Sequence, residues 1–212
     1  MSYDIIAFGV SCILVLAYYL YLNWRTRRAP ESSVHALNAR IRERWVAMVM
    51  ASDKMDILAI QTLRNSVIAA NFMASTSVLL IMGTLNLSDK IGQWALLWHP
   101  NAFMPLSNEL WQIKLGLLLL DFAIAFYCFS MSIRFYNHVG YMINLGDGLS
   151  TDKAPYQLNC AYLNRAGSYY TFGNRAFFFS LPIIMWFFGP YFLPLATIGL
   201  IIGLATLDKV TN

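Results

Sequence analysis

The chain has 212 residues, 58% of them hydrophobic and 12% charged, with a formal net charge of +4. Soluble domains carry about 25% charged residues, so a soluble enzyme is excluded as the main body, and no Ser/Gly-rich linker marks off a second domain. The composition predicts one membrane domain over residues 1–212, an all-α polytopic bundle, with membrane lipids and not nucleic acid as its surroundings.

Four apolar stretches are long enough, or nearly so, to cross a hydrocarbon core that takes roughly 20 helical residues. They are 5–22, 66–85, 115–133 and 177–207. The first has Asp4 before it and Arg25, Arg27 and Arg28 after it. A secretory signal has its basic residues on the other side, so this segment reads as a retained anchor. Basic residues are dense in 24–63 and recur in 136–175, while the loop between the second and third stretches holds only Lys90 and Lys114. The positive-inside rule then predicts four spans, the N- and C-termini outside, and both basic segments in the cytoplasm of a bacterial inner membrane.

Within 24–63, Pro30 to Ser33 form a helix start, and no Pro or Gly follows until Gly83. Leu37, Ile41, Trp45, Met48 and Met55 recur near helical spacing beside Arg40, Arg42 and Arg44. The pattern predicts an amphipathic helix, either lying on anionic headgroups or packed on the other cytoplasmic segment. In the second span Arg64, Asn71 and Ser75 stand at i, i+7 and i+11 and share a face. Polar groups gain nothing by facing lipid, so this face is expected to meet another helix or a cavity, with Ala69, Ala70 and Ala74 permitting close approach.

Trp94, Trp98, Phe103 and Trp111 crowd the segment before the third span and predict an aromatic belt with a short interfacial helix. Asp121 then lies about 10 Å inside the third span. A carboxylate at that depth is a candidate for an ion or proton path, with Asn71, Ser75 and Arg64 as companions. The 136–175 segment is rich in Tyr, Asn, Arg and Gly and predicts a folded cytoplasmic cap. In 177–207, Gly189-Pro190 and Pro194 predict a kink or a division into two pieces. Gly199 and Gly203 match a small-xxx-small contact pattern.

Catalytic signals are absent. Cys12, Cys128 and Cys160 have no metal or redox spacing. His35, His99 and His138 lie outside the middle of any span, and no HExxH, CxxC or phosphate loop occurs. The expectation is no enzyme, no metal and no cofactor.

The stretches Arg64-Asn65-Ser66, Ala69 to Thr76, Tyr136-Asn137-His138 and Arg165 to Phe177 resemble a family of small bacterial and plant membrane proteins classed as a domain of unknown function. The resemblance covers nearly the whole chain and implies a four-helix membrane protein without implying an activity. It draws attention to a cytoplasmic polar cluster of Asn65, Asn137, His138, Arg165, Tyr170, Asn174 and Arg175. Two roles fit these readings: an oligomeric structural or accessory subunit of a membrane assembly, or a small oligomeric transporter with a path near Asp121 and Asn71.

Overall fold

In the computed structural model the described residues are 2–28, 34–52, 55–88, 108–143 and 154–208. They form helices and turns: α1 Ser2–Arg28, α2 Val34–Met50, α3 Asp56–Ser88, α4 Asn108–Met142, α5 Ala154–Trp186 and α6 Phe192–Leu207. No strand occurs among the described residues. Three helices are long and apolar enough to cross a membrane, over Tyr3–Thr26, Asp56–Leu87 and Glu109–Met142. An apolar run in lipid has no water to satisfy its amides, and the helix satisfies them internally.

The helices outrun the stretches that foretold them. α4 continues through Tyr136, Asn137 and His138 to Met142, and α5 starts at Ala154. Much of the expected cytoplasmic cap is therefore helical extension. Two of its glycines lie at helix contacts. A β-carbon on Gly173 would lie 2.8 Å from the Phe129 ring, and one on Gly167 would lie 2.6 Å from the Arg42 guanidinium. Both positions keep helices close instead of breaking them.

α4 and α5 are antiparallel, since Trp111 meets Phe187 at 5.0 Å, Phe122 meets Phe177 at 5.8 Å and Phe129 meets Tyr170 at 5.7 Å. α3 covers the other flank of α4, also antiparallel: Ala74 packs with Ala125 and Phe129, and Ala59 and Leu63 pack with Val139 and Ile143. α2 caps that last cluster with Val46 and Val49, both buried, against Cys160 and Leu163 of α5. Its opposite side leaves Leu37, Ile41 and Met48 exposed. The amphipathic helix expected over Leu37 to Met55 ends at Met50, so Met55 lies beyond α2 and α3 starts at Asp56.

The stretch 177–207 is two helices. α5 ends at Trp186, and Gly189 turns the chain at φ +155°, a conformation that favours glycine. α6 then runs back along α5, with Leu193 packed on Trp186 and Asp208 paired to Arg175. The division expected at Gly189-Pro190 is where the chain reverses, so the end of α6 lies beside Arg175 and Tyr18, at the other end of the bundle from Asp4. α6 parallels α1, joined through Ala7 at one end and Tyr18 at the other. Trp94, Trp98, Phe103 and the short interfacial helix expected near them fall outside the described residues.

Candidate functional site

The residues singled out by sequence do not gather at one place. Arg64, Asn65, Asn71 and Ser75 are all exposed on α3. The stripe that was expected to meet another helix or a cavity points away from α4, because Ala70, Ala74 and Ser77 on the opposite side take the packing face. Asn137, His138 and Arg165 are also exposed, His138 lying edge-on to Tyr162 at 5.7 Å. Tyr170 and Asn174 are half-buried on α5, with Tyr170 against Phe129. Asp121 is half-buried on α4, and its Oδ2 is buried without a hydrogen-bond partner.

Arg175 of the expected cluster lines a pocket. This cavity of about 350 Å³ opens between α1, α2, α5 and α6, with Asn23, Thr26, Asn38, Thr171, Arg175 and Asp208 among its walls. Asp208 anchors it: Oδ1 accepts from Arg175 Nη2 at 2.6 Å, and Oδ2 accepts from the Tyr18 hydroxyl at 2.6 Å. The Arg175 guanidinium also lies 5.9 Å from the Tyr19 ring centre. With both carboxylate oxygens occupied, Asp208 is poorly placed to act as a base. The remaining walls offer amides and hydroxyls, which suit recognition by hydrogen bonding more than bond-breaking.

A second lock holds α2 to α5. Arg42 Nε donates to Asn164 Oδ1 at 2.9 Å, and Asn164 Nδ2 donates to Glu43 Oε1 at 3.2 Å. The guanidinium lies over the bare Gly167 backbone, where an added β-carbon would come 2.6 Å from Nη1 and push it aside. Burial lowers the Arg42 pKa from its ordinary value, with Tyr136 and Glu43 opposing that shift.

At the opposite end of the bundle, Lys114 of α4 is 1% exposed and Asp4 of α1 is 7% exposed. Lys114 Nζ lies 3.1 Å from Asp4 Oδ1 and donates to the Trp186 carbonyl at 3.1 Å. Trp186 Nε1 donates to Asp4 at 3.1 Å, and its ring centre is 4.8 Å from the ammonium. In the sequence, Asp4 marks the start of the first apolar stretch and Lys114 belongs to the loop before the third. The available signal was opposite charge flanking two spans on the same expected side of the membrane. No group of His, Cys, Asp and Glu that could hold a metal ion occurs among the described residues.

Comparison with known families adds one result. The family described as "Protein of unknown function, DUF599" matches residues 6–212. The chain belongs to the DUF599 family. The match takes in α2 to α6 and all of α1 beyond Ile5, so the Arg42 lock and the Arg175–Asp208 pocket both lie inside the DUF599 region, and Asp4 lies just before it. Neither curated proteins nor solved structures yield a match to the chain.

Proposed function

We propose that this DUF599 chain is a non-catalytic subunit of an oligomeric assembly in a bacterial cytoplasmic membrane. The observation that carries the reading is Asn71. It is exposed on α3 within a stretch apolar enough to cross a membrane, between Arg64 and Ser75 on the same outward face. A carboxamide facing hydrocarbon forgoes its hydrogen bonds, and a second helix restores them. Ser75, one turn on and on the same face, is exposed and small, which leaves room for close backbone approach. On α6, Gly199 and Gly203 also face outward with open space around them.

The test is the mass of the full chain in mild detergent, for wild type and Asn71→Leu. An interhelical side-chain hydrogen bond in a bilayer contributes about 1 kcal/mol. A two-fold contact using it twice would weaken roughly 30-fold on substitution. A wild type that is monomeric and partnerless across several mild detergents overturns the reading. So does an Asn71→Leu chain of unchanged assembly mass.

The unpaired Asp121 Oδ2 supports a second reading, a transporter with a path lined by that carboxylate. Asp121→Asn would then alter flux, or its pH dependence, in reconstituted vesicles. Unchanged flux at every pH removes it.

A further inference from the structure

A crevice of about 310 Å³ opens on the flank of the bundle where α3, α4 and α5 meet. Its walls are Leu80, Leu87, Leu115, Leu118, Phe122 and their neighbours, with Gly83 on one side and Trp111 near the start of α4. The walls present almost no free polar group. The Thr84 hydroxyl is already spent on the Leu80 carbonyl at 2.8 Å. Trp111, 4% exposed, also lines the crevice, and its indole N–H is buried without an acceptor.

We propose that this crevice holds one acyl chain of a bilayer glycerophospholipid, with an ester carbonyl of that lipid accepting the Trp111 N–H. Three dimensions agree. From Trp111 to Phe122 the α4 wall runs eleven residues, about 16 Å at 1.5 Å per residue. Half of a hydrocarbon core some 30 Å thick is about 15 Å, so the crevice is one leaflet deep. Trp111 then sits at the level of the headgroup region, where indoles concentrate and where lipid ester carbonyls lie. The volume holds roughly ten groups the size of a water or a methylene, at about 30 Å³ each. It is too small for a partner helix, about 10 Å across with its side chains. Water gains little there, because apolar walls deny it the two to four partners it needs. A lipid supplies both what the walls accept and what the N–H lacks.

The inference rests on the membrane placement proposed above and not on the oligomer, and one experiment separates them. The full chain is purified in mild detergent, titrated with palmitoyl-oleoyl phosphatidylglycerol and observed by native mass spectrometry, which reads lipid count and assembly mass together. Wild type is expected to retain one phospholipid per protomer against detergent. Trp111→Phe keeps the ring and removes the donor, and should weaken retention about fivefold, as for one hydrogen bond. A side chain at Gly83 meets nothing within 4 Å. Gly83→Leu therefore has room to grow into the crevice without breaking the fold, and should abolish retention while thermal stability is kept. Equal retention by wild type and Gly83→Leu overturns the proposal, as does indifference to Trp111→Phe. A Gly83→Leu chain that keeps its lipid but loses its assembly mass also overturns it, and assigns the crevice to a protein contact instead.

Discussion

The buried pair at the start of α1 and α4 makes a demanding test of how this bundle is held. Lys114 Nζ and Asp4 Oδ1 are 3.1 Å apart. At an effective dielectric of about 20 that separation corresponds to a gross attraction of roughly 5 kcal/mol. Much of this is offset by desolvation, but removing one partner leaves the other charge buried and costs about 3–5 kcal/mol. Lys114→Met takes the cation from the Asp4 carboxylate and a donor from the Trp186 carbonyl, which keeps the Gly189 N–H at 3.3 Å. Asp4→Leu strands the ammonium and the Trp186 indole N–H. The double variant removes both charges and leaves the indole donor unpaired, a cost of about 1–3 kcal/mol. The double change should therefore cost far less than the 6–10 kcal/mol or so obtained by adding the single effects. Unfolding in mild detergent titrated with SDS, followed by tryptophan fluorescence, measures all four corners of the cycle. Additive losses, or single variants within about 0.5 kcal/mol of wild type, would refute the assignment of this pair as a structural clamp.

Two glycines offer sharper packing tests. Alanine at an exposed, uncrowded helix position gains up to about 1 kcal/mol over glycine, which is the expectation for Gly116→Ala, where the new methyl meets nothing. Gly173→Ala instead drives a methyl to within 2.8 Å of the fully buried Phe129 ring, and should be about 1–3 kcal/mol less stable than Gly116→Ala in a thermal melt. Phe129→Leu should restore part of that loss, and failure to do so would mean the clash is absorbed elsewhere. At the other lock, Gly167→Ala displaces the Arg42 guanidinium from Asn164, and Arg42→Lys removes the planar fork that makes the contact. Both should raise hydrogen exchange in α2 by roughly tenfold, the equivalent of one charged hydrogen bond of about 1.5 kcal/mol, while leaving α4 protected. Unchanged exchange in α2 would show that Val46 and Val49 hold it unaided.

What the sequence revealed and what it hid divide along physical lines. The spans of α1, α3 and α4 were legible because hydrocarbon imposes a length and an apolar composition on any crossing helix. The break after Trp186 was legible because Gly189-Pro190 is a strong local signal. The full reach of α4 and α5 was hidden, because glycine serves turns and close helix contacts alike, and Gly167 and Gly173 are of the second kind. The outward direction of Asn71 was hidden for a related reason. Periodicity put Arg64, Asn71 and Ser75 on one face, but it cannot tell which side of α3 meets α4. The Arg42–Asn164 lock joins residues 122 positions apart and leaves no local pattern.

α1 shows why polar residues at helix ends carry so much of this architecture. Its apolar side chains are largely exposed, including Ile5, Ile13, Leu16 and Leu20, and only a narrow set of Asp4, Ala7, Ser11 and Tyr18 is buried. In lipid, an apolar surface gains little by leaving the acyl chains for another helix, so such a helix is held by packing and by specific bonds. Those bonds sit at both ends. Asp4 joins α1 to Lys114 and Trp186 at one. At the other, Tyr18 reaches Asp208 and Tyr19 lies under Arg175. The same Asp208 fixes the end of α6 to α5, so one carboxylate sets the register of three helices. The same physics accounts for apolar residues defining the spans while a few charges decide which helices lie beside one another.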